Sequence, residues 1–276
     1  MYQLELGTRI RLVENYGLNE NFAQDLKELK RLGFDCIEVS LGQAGGYKMH
    51  MERCTEVVAD GLKQIADAGL TLNSIHMPFQ RFVYISSHDE SVRAFAADAC
   101  VKLIEECNAF KPKHYVFHSK VGPLEDPALE LRKEALVKSF RQMVAATEAN
   151  VCLENMAGSF PSTTDQMMEI LGQVEGGKCC IDLNHFLHEK PEDGIVKLAK
   201  WLKTIHVSDH DGVYERHWLP KQGANDWMKI LAALEQVGYQ NAFVYEVGMG
   251  KFKACWADLR ANYDELFEEY NKASLH

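Results

Sequence analysis

Short runs rich in Val, Ile and Leu alternate with longer amphipathic stretches along the chain. The short runs read as strands at Cys36 to Ser40, Leu72 to His76, His114 to His118, Val151 to Glu154, Lys178 to Asp182, Thr204 to Ser208 and Ala242 to Val247. A run near Arg9 to Val13 gives a weaker first strand. Between them, apolar residues at three-and-four spacing predict helices such as Asn21 to Leu32, Thr55 to Ala68, Glu90 to Cys107, Ala128 to Ala149 and Asp226 to Val237. Gly33, Gly69 and Gly238 follow three of these segments, where a left-handed helix cap is expected.

Strands that alternate with helices imply parallel pairing through right-handed crossovers. About eight such repeats in 276 residues favour one closed (β/α)8 TIM barrel, of the α/β class, over an open doubly wound sheet. An open dinucleotide-binding sheet would carry a Gly-rich turn after its first strand. Here Gly42 and Gly45-Gly46 follow the second, without G-x-G-x-x-G spacing. No linker or low-complexity segment divides the chain, so residues 1–276 read as one domain.

With 46% hydrophobic and 25% charged residues the chain can fill a large core. The formal net charge of −10 argues against a broad nucleic-acid or anionic-membrane surface, although a local basic patch is compatible with it. The first residues lack the pattern of a signal peptide, and no apolar run is long enough to cross a bilayer. The expectation is a soluble cytoplasmic protein, with association of identical copies left open. Its eight cysteines form no C-x-x-C pair and several fall in apolar runs, so they read as reduced core residues, a structural zinc cluster being the alternative.

The residues at or near the ends of the strands after the first are Glu38, His76, His118, Glu154, Asp182, His206 and Glu246. All seven are acids or histidines, types that make up 40 acids and 11 histidines among 276 residues, and barrel enzymes keep their active sites at this rim. A lone histidine ending an apolar run is more often a hydrogen-bonded structural residue than a ligand. Convergence reverses that weighting. Burying Glu154, Asp182 and Glu246 unpaired is costly, and these strand ends supply no Arg or Lys, so a divalent cation is the economical partner.

At this point the sequence resembles the xylose isomerase-like barrels, a superfamily of sugar isomerases and epimerases that also includes endonuclease IV. The segments that carry the resemblance are Ser74-Ile75-His76-Met77-Pro78-Phe79, Val116-Phe117-His118, Cys152-Leu153-Glu154-Asn155-Met156-Ala157-Gly158, Cys180-Ile181-Asp182-Leu183-Asn184-His185, His206-Val207-Ser208-Asp209 and Tyr245-Glu246. The resemblance implies one Mn²⁺, Mg²⁺ or Co²⁺ ion on Glu154, Asp182, His206 and Glu246. It also implies a carbohydrate substrate flanked by Glu154 and Glu246 as catalytic base and acid, with Glu38, His76, His118, His185, Arg216 and His217 as substrate contacts.

His185 could equally orient Asp182, and Asp209 reads more readily as a loop cap than as a site residue. The segment Glu215-Arg216-His217 divides two chemistries. The endonuclease IV resemblance would add zinc ions on His76 and His118 with Glu154, and on His185, Glu215 and His217, Glu215 standing in place of an aspartate. That reading gives a multinuclear Zn²⁺ phosphodiesterase for abasic DNA. Three departures count against it. Thr8 to Tyr16 lacks the DNA-touching opening of endonuclease IV, the third-strand histidine sits in the isomerase-like form His-Met-Pro-Phe, and Leu219 to Trp227 resembles the isomerase run with Lys221-Gln222 replacing Gly-Glu. Phe79, Phe82 and Trp218 could cover a sugar face but read first as packing, and Arg93 reads as a solvated helix residue. The favoured reading is a metal-dependent isomerase or epimerase of a sugar, sugar acid or related keto-polyol.

Overall fold

The computed structural model describes residues 1–14, 17–41, 54–78, 84–119, 121–249 and 254–275. Eight parallel strands close into a barrel: β1 (Leu6–Arg11), β2 (Cys36–Ser40), β3 (Thr71–His76), β4 (His114–Phe117), β5 (Asn150–Glu154), β6 (Lys178–Asp182), β7 (Leu202–Val207) and β8 (Phe243–Tyr245). The helices are α1 (Phe22–Arg31), α2 (Cys54–Asp67), α3 (Glu90–Cys107), α4 (Leu129–Ala145), α5 (Thr164–Leu171), α6 (Pro191–Leu198), α7 (Trp227–Gln236) and α8 (Trp256–Ala273). Each strand is thus followed by a helix, and the (β/α)8 TIM barrel expected from the sequence is the fold.

The first strand begins earlier than the apolar run near Arg9 to Val13 suggests. Its pairing with β2 starts at Gly7 opposite Cys36, and Val13–Glu14 instead pairs with Gly17–Leu18 in a small antiparallel ribbon. Close packing explains the glycine: a Cβ at position 7 would come within 2.8 Å of Cys36 Sγ. Gly33, Gly69 and Gly238 have φ of 78°, 71° and 68°, the left-handed caps expected at three helix ends.

Strand alternation divides the barrel into two cores. One set of positions, including Leu6, Ile37, Ile75, Tyr115, Leu153, Ile181, Ile205 and Phe243, joins the helices in a single large cluster. The other set forms two small clusters, Cys36 with Ala242 and Val244, and Val116 with Cys152 and Cys180. Because the register sets Cys36 beside Gly7 and Val244 beside His206, this second set lies on the same face as the polar strand ends. Among the described side chains six cysteines are buried and reduced as expected, but Cys255 is exposed, at the N-cap of α8.

Arg93 departs from its expected solvated place. It is 4% exposed and its guanidinium donates to Glu90, Ser139 and Gln142, tying α3 to α4. A charged helix residue reads as solvated from sequence, but the neighbouring helix covers this one.

Candidate metal centre

Parallel strands deliver their carboxyl ends to one rim, and the register brings Asp182 level with His206, with Glu246 two residues beyond the Val244 that pairs with His206. Glu154, Asp182, His206 and Glu246 are all buried there, with one ligand atom from each lying within 4.8 Å of the others. Two further groups meet the same limit: His76 with His118 and Glu154, and His185 with Glu215 and His217. Glu154 belongs to two of the three groups.

The central carboxylates are densely contacted. Glu154 Oε1 lies 3.0 Å from His206 Nδ1, and its Oε2 lies 3.2 Å from His76 Nε2 and 3.0 Å from His118 Nε2. Burial opposes the charge on Glu154, but His206 and His118 outweigh it and hold the carboxyl well below its usual range. Burial lifts the Asp182 carboxyl to about 6, His185 favouring its charge while Glu246 and Glu154 oppose it.

Asp182 Oδ2 and Glu246 Oε2 have no hydrogen-bond partner, although the latter is only 2.7 Å from His206 Nδ1. Unpartnered oxygens beside an imidazole nitrogen form a hard-donor set that a divalent cation would satisfy. The donor chemistry therefore fits one such ion. Three carboxylates against a divalent ion leave one negative charge, and Arg9 supplies the balance.

Arg9 is a cation that the strand-end reading missed, because only the ends after the first strand were compared. It projects from β1 and forms an ion pair with Glu246 Oε1. Burial works against charge on Glu246, but Arg9 and then His206 keep its carboxyl far below the ordinary value. The interior-facing register of Arg9 beside Glu38 is the signal that could have found it.

Three of the outer histidines, His76, His185 and His217, are oriented by main-chain oxygens. Nδ1 of His76 lies 3.0 Å from Met77 O, Nδ1 of His185 is 2.7 Å from Asn155 O, and Nδ1 of His217 is 3.0 Å from Glu246 O. A carbonyl oxygen can only accept a hydrogen bond, so each contact requires Nδ1–H as donor and leaves Nε2 for another partner. His185 Nε2 meets Glu215 Oε2 at 3.0 Å and Asp182 Oδ2 at 3.4 Å. Burial disfavours the His185 imidazolium, yet Asp182 and Glu215 overcome it and raise the group to about 10.

Two further residues hold this arrangement, Asn155, which sequence reasoning did not assign, and Asp209. Asn155 Oδ1 accepts from Asp182 N at 2.7 Å while its Nδ2 donates to Asp182 O at 3.1 Å, locking the ends of β5 and β6. Asp209 is fully buried and acts as the expected loop cap: its carboxylate accepts from the main-chain N–H of His210, Lys221, Gly223 and Asn225 and from the Trp227 indole. It thereby shapes the loop from Leu219 to Trp227. For Asn155 the available signal was a polar residue directly after the strand-end Glu154.

The strands Asp209–His210 and Glu215–Trp218 form an antiparallel hairpin over the rim. Glu215 and His217 join the outer group, but Arg216 does not. Its Nε donates to Asp211 Oδ2 at 2.6 Å, and its guanidinium lies 5.3 Å from the Tyr214 ring and 5.9 Å from that of Trp218. Alternation along the strand sends neighbours to opposite faces, and Arg216 lies on the face opposite to Glu215 and His217, in contact with the hairpin itself. Glu38 is 0% exposed and lies against His206 and Ser74, beneath the rim. Phe79 and Phe82 fall outside the described residues.

The xylose isomerase-like TIM barrel family matches residues 26–270. The chain belongs to this family. It is similar to an uncharacterised protein of Methanocaldococcus jannaschii, 19% identical over 228 residues that cover 78% of this chain and 89% of the relative. Among solved structures it resembles a D-tagatose 3-epimerase-like protein (16% identity, TM-score 0.75, 98% of each chain covered). It also resembles a D-allulose 3-epimerase from Methylomonas sp. (15% identity, TM-score 0.78, 97% of this chain and 98% of that one). A third is an L-ribulose 3-epimerase (17% identity, TM-score 0.73, 99% of this chain and 98% of that one). At these identities the likeness establishes the barrel, and the chemistry has to be argued from the residues.

Proposed function

We propose that this protein is a divalent-metal-dependent isomerase or epimerase of a sugar, sugar acid or related keto-polyol. The observation that carries the reading is the buried convergence of Glu154, Asp182, His206 and Glu246 on four successive strands, within 4.8 Å. Sugar 3-epimerases among the similar structures support the same substrate class. Mn²⁺, Mg²⁺ or Co²⁺ on these four residues would polarise a ketose carbonyl and its adjacent hydroxyl.

The chain's own residues then divide the work. Glu154 and Glu246 enter the centre from β5 and from the end of β8, so two carboxylates can face one substrate from different sides. One removes a proton from the carbon next to the carbonyl and the other returns it, to the opposite face for an epimer or to the neighbouring carbon for an aldose. Arg9 keeps Glu246 ionised and so available as a base. His185 and His217, at the hairpin side, would meet substrate hydroxyls. Small carbohydrates are the expected partners; among the described residues no helix is long and apolar enough to cross a membrane.

The test is solvent proton exchange. Metal-loaded protein in D2O, offered a panel of ketoses and keto acids, should incorporate deuterium beside the carbonyl, and Glu246→Gln should abolish it. Full turnover by Glu246→Gln on a substrate the wild type converts would sink the mechanism.

A second reading is favoured by the two outer groups, His76 with His118 and Glu154, and His185 with Glu215 and His217. Main-chain oxygens accept from Nδ1–H of His76, His185 and His217, which turns Nε2 of each ring towards its group, as an Nε2 metal ligand needs once that nitrogen is deprotonated. Three zinc ions would make the centre a phosphodiesterase site for abasic DNA. Elemental analysis separates the two: one ion supports the isomerase, and three zincs with cleavage of an abasic duplex support the phosphodiesterase.

A further inference from the structure

Glu38 belongs to none of the three groups and sits in the middle of β2, not at its end. It is completely buried. Ser74 Oγ donates to its Oε2 at 2.7 Å, and both carboxylate oxygens lie 3.1 Å from His206 Nε2. A buried carboxylate is costly without partners, and here Oε2 has one hydroxyl and one ring nitrogen while Oε1 has the same ring beside it but no hydrogen bond of its own.

His206 is oriented the opposite way from the outer histidines. In His76, His185 and His217 it is Nδ1 that is tied to a main-chain oxygen. In His206 it is Nε2 that is tied, to Glu38, while Nδ1 faces Glu154 Oε1 at 3.0 Å and Glu246 Oε2 at 2.7 Å. A neutral imidazole carries one N–H, so a proton on Nε2 leaves the Nδ1 lone pair for the centre. Among the described residues, the partner of Nε2 is a carboxylate, with a full negative charge, in place of a main-chain oxygen.

We infer that Glu38, held by Ser74, is a positioning residue that fixes His206 as the Nε2–H tautomer and strengthens Nδ1 as a donor to the divalent cation. This rests on the metal-centre reading proposed above and adds to it a residue that touches neither cation nor substrate. A carboxylate behind a ligating imidazole both orients the ring and raises its basicity, and such partners set metal affinity by roughly 10- to 100-fold.

The experiment measures Co²⁺ affinity by chelator competition for the wild type, Glu38→Gln, Glu38→Leu and Ser74→Ala. Gln keeps an acceptor for Nε2–H but no charge, so Glu38→Gln should weaken Co²⁺ by roughly 10-fold and Glu38→Leu by roughly 100-fold, with Ser74→Ala shifted less in the same direction. A long-range ¹H–¹⁵N spectrum of the Zn²⁺-loaded wild type should place the His206 proton on Nε2. Wild-type affinity in Glu38→Gln, or a His206 proton on Nδ1, overturns the assignment. Should Glu38→Leu fail to fold, Glu38→Gln and the spectrum decide. A wild type that takes up no Co²⁺ instead overturns the metal-centre reading itself.

Discussion

The side-chain oxygen of Asn184 accepts the main-chain N–H of His217 at 3.2 Å and that of Arg216 at 3.0 Å. One buried amide, two residues after Asp182, thus clamps the hairpin strand that carries Glu215 and His217 to the segment that carries Asp182 and His185. The geometry of the outer group depends on this clamp.

Asn184→Ala should therefore loosen the hairpin more than the barrel. Two half-buried N–H groups lose their acceptor, at up to about 1 kcal/mol each because water partly replaces it. Amide exchange should speed up at Arg216 and His217, with protection in β5 to β7 retained. Unchanged exchange at those two amides would remove Asn184 from this role.

Metal removal should lower stability. Binding to the folded state alone contributes roughly 2.7 kcal/mol at a hundredfold excess over Kd, and each kcal/mol moves Tm by roughly 2–4 °C in a chain of this size. Chelator-treated protein should regain several degrees on adding Mn²⁺, Co²⁺ or Zn²⁺. Asp182→Asn, which removes one of four buried ligands, should lose that response. A thermal melt indifferent to all three ions would contradict the centre.

His114 gives a pH signature away from the rim. It starts β4 and is buried, its Nδ1 lies 3.2 Å from Asn150 Nδ2, and its Nε2 has no partner. Burial lowers its pKa from 6.5 to about 4. The unfolded chain therefore binds the proton first, so the contribution of His114 is fully present above about pH 6.5 and is lost as pH falls towards 4. A shift of this size corresponds to at most about 3 kcal/mol. Denaturant titrations should show a flatter profile over that window for His114→Gln than for the wild type.

Lys221 stands where the resembling isomerase run carries glycine, and its φ of 73° is the left-handed conformation that glycine favours. Its N–H donates to Asp209 Oδ2 at 3.1 Å, so the loop holds that conformation despite the side chain. Lysine gains only half-exposed ion pairs with Glu265 and Glu269, which are worth little. Of two variants that both lose these pairs, Lys221→Gly should be more stable than Lys221→Ala by about 1 kcal/mol, read from urea midpoints. Equal midpoints would mean that the backbone is not strained there.

The alternation of apolar runs and amphipathic helices by itself determined the closed barrel, its element order and the rim where Glu154, Asp182, His206 and Glu246 meet. Parallel topology alone sends every strand end to the same side, so their convergence needed no knowledge of distances. Tertiary structure decided which neighbour each group faces. Arg9 pairs with Glu246 only because the barrel closes β1 onto β8, and Glu38 lies under His206 only because of the register across the lumen. The hairpin turns Arg216 away while presenting Glu215 and His217, and the packing of α4 over α3 buries Arg93. Local pattern reports which face a residue occupies; closure and register, which couple residues far apart in the chain, report what it touches.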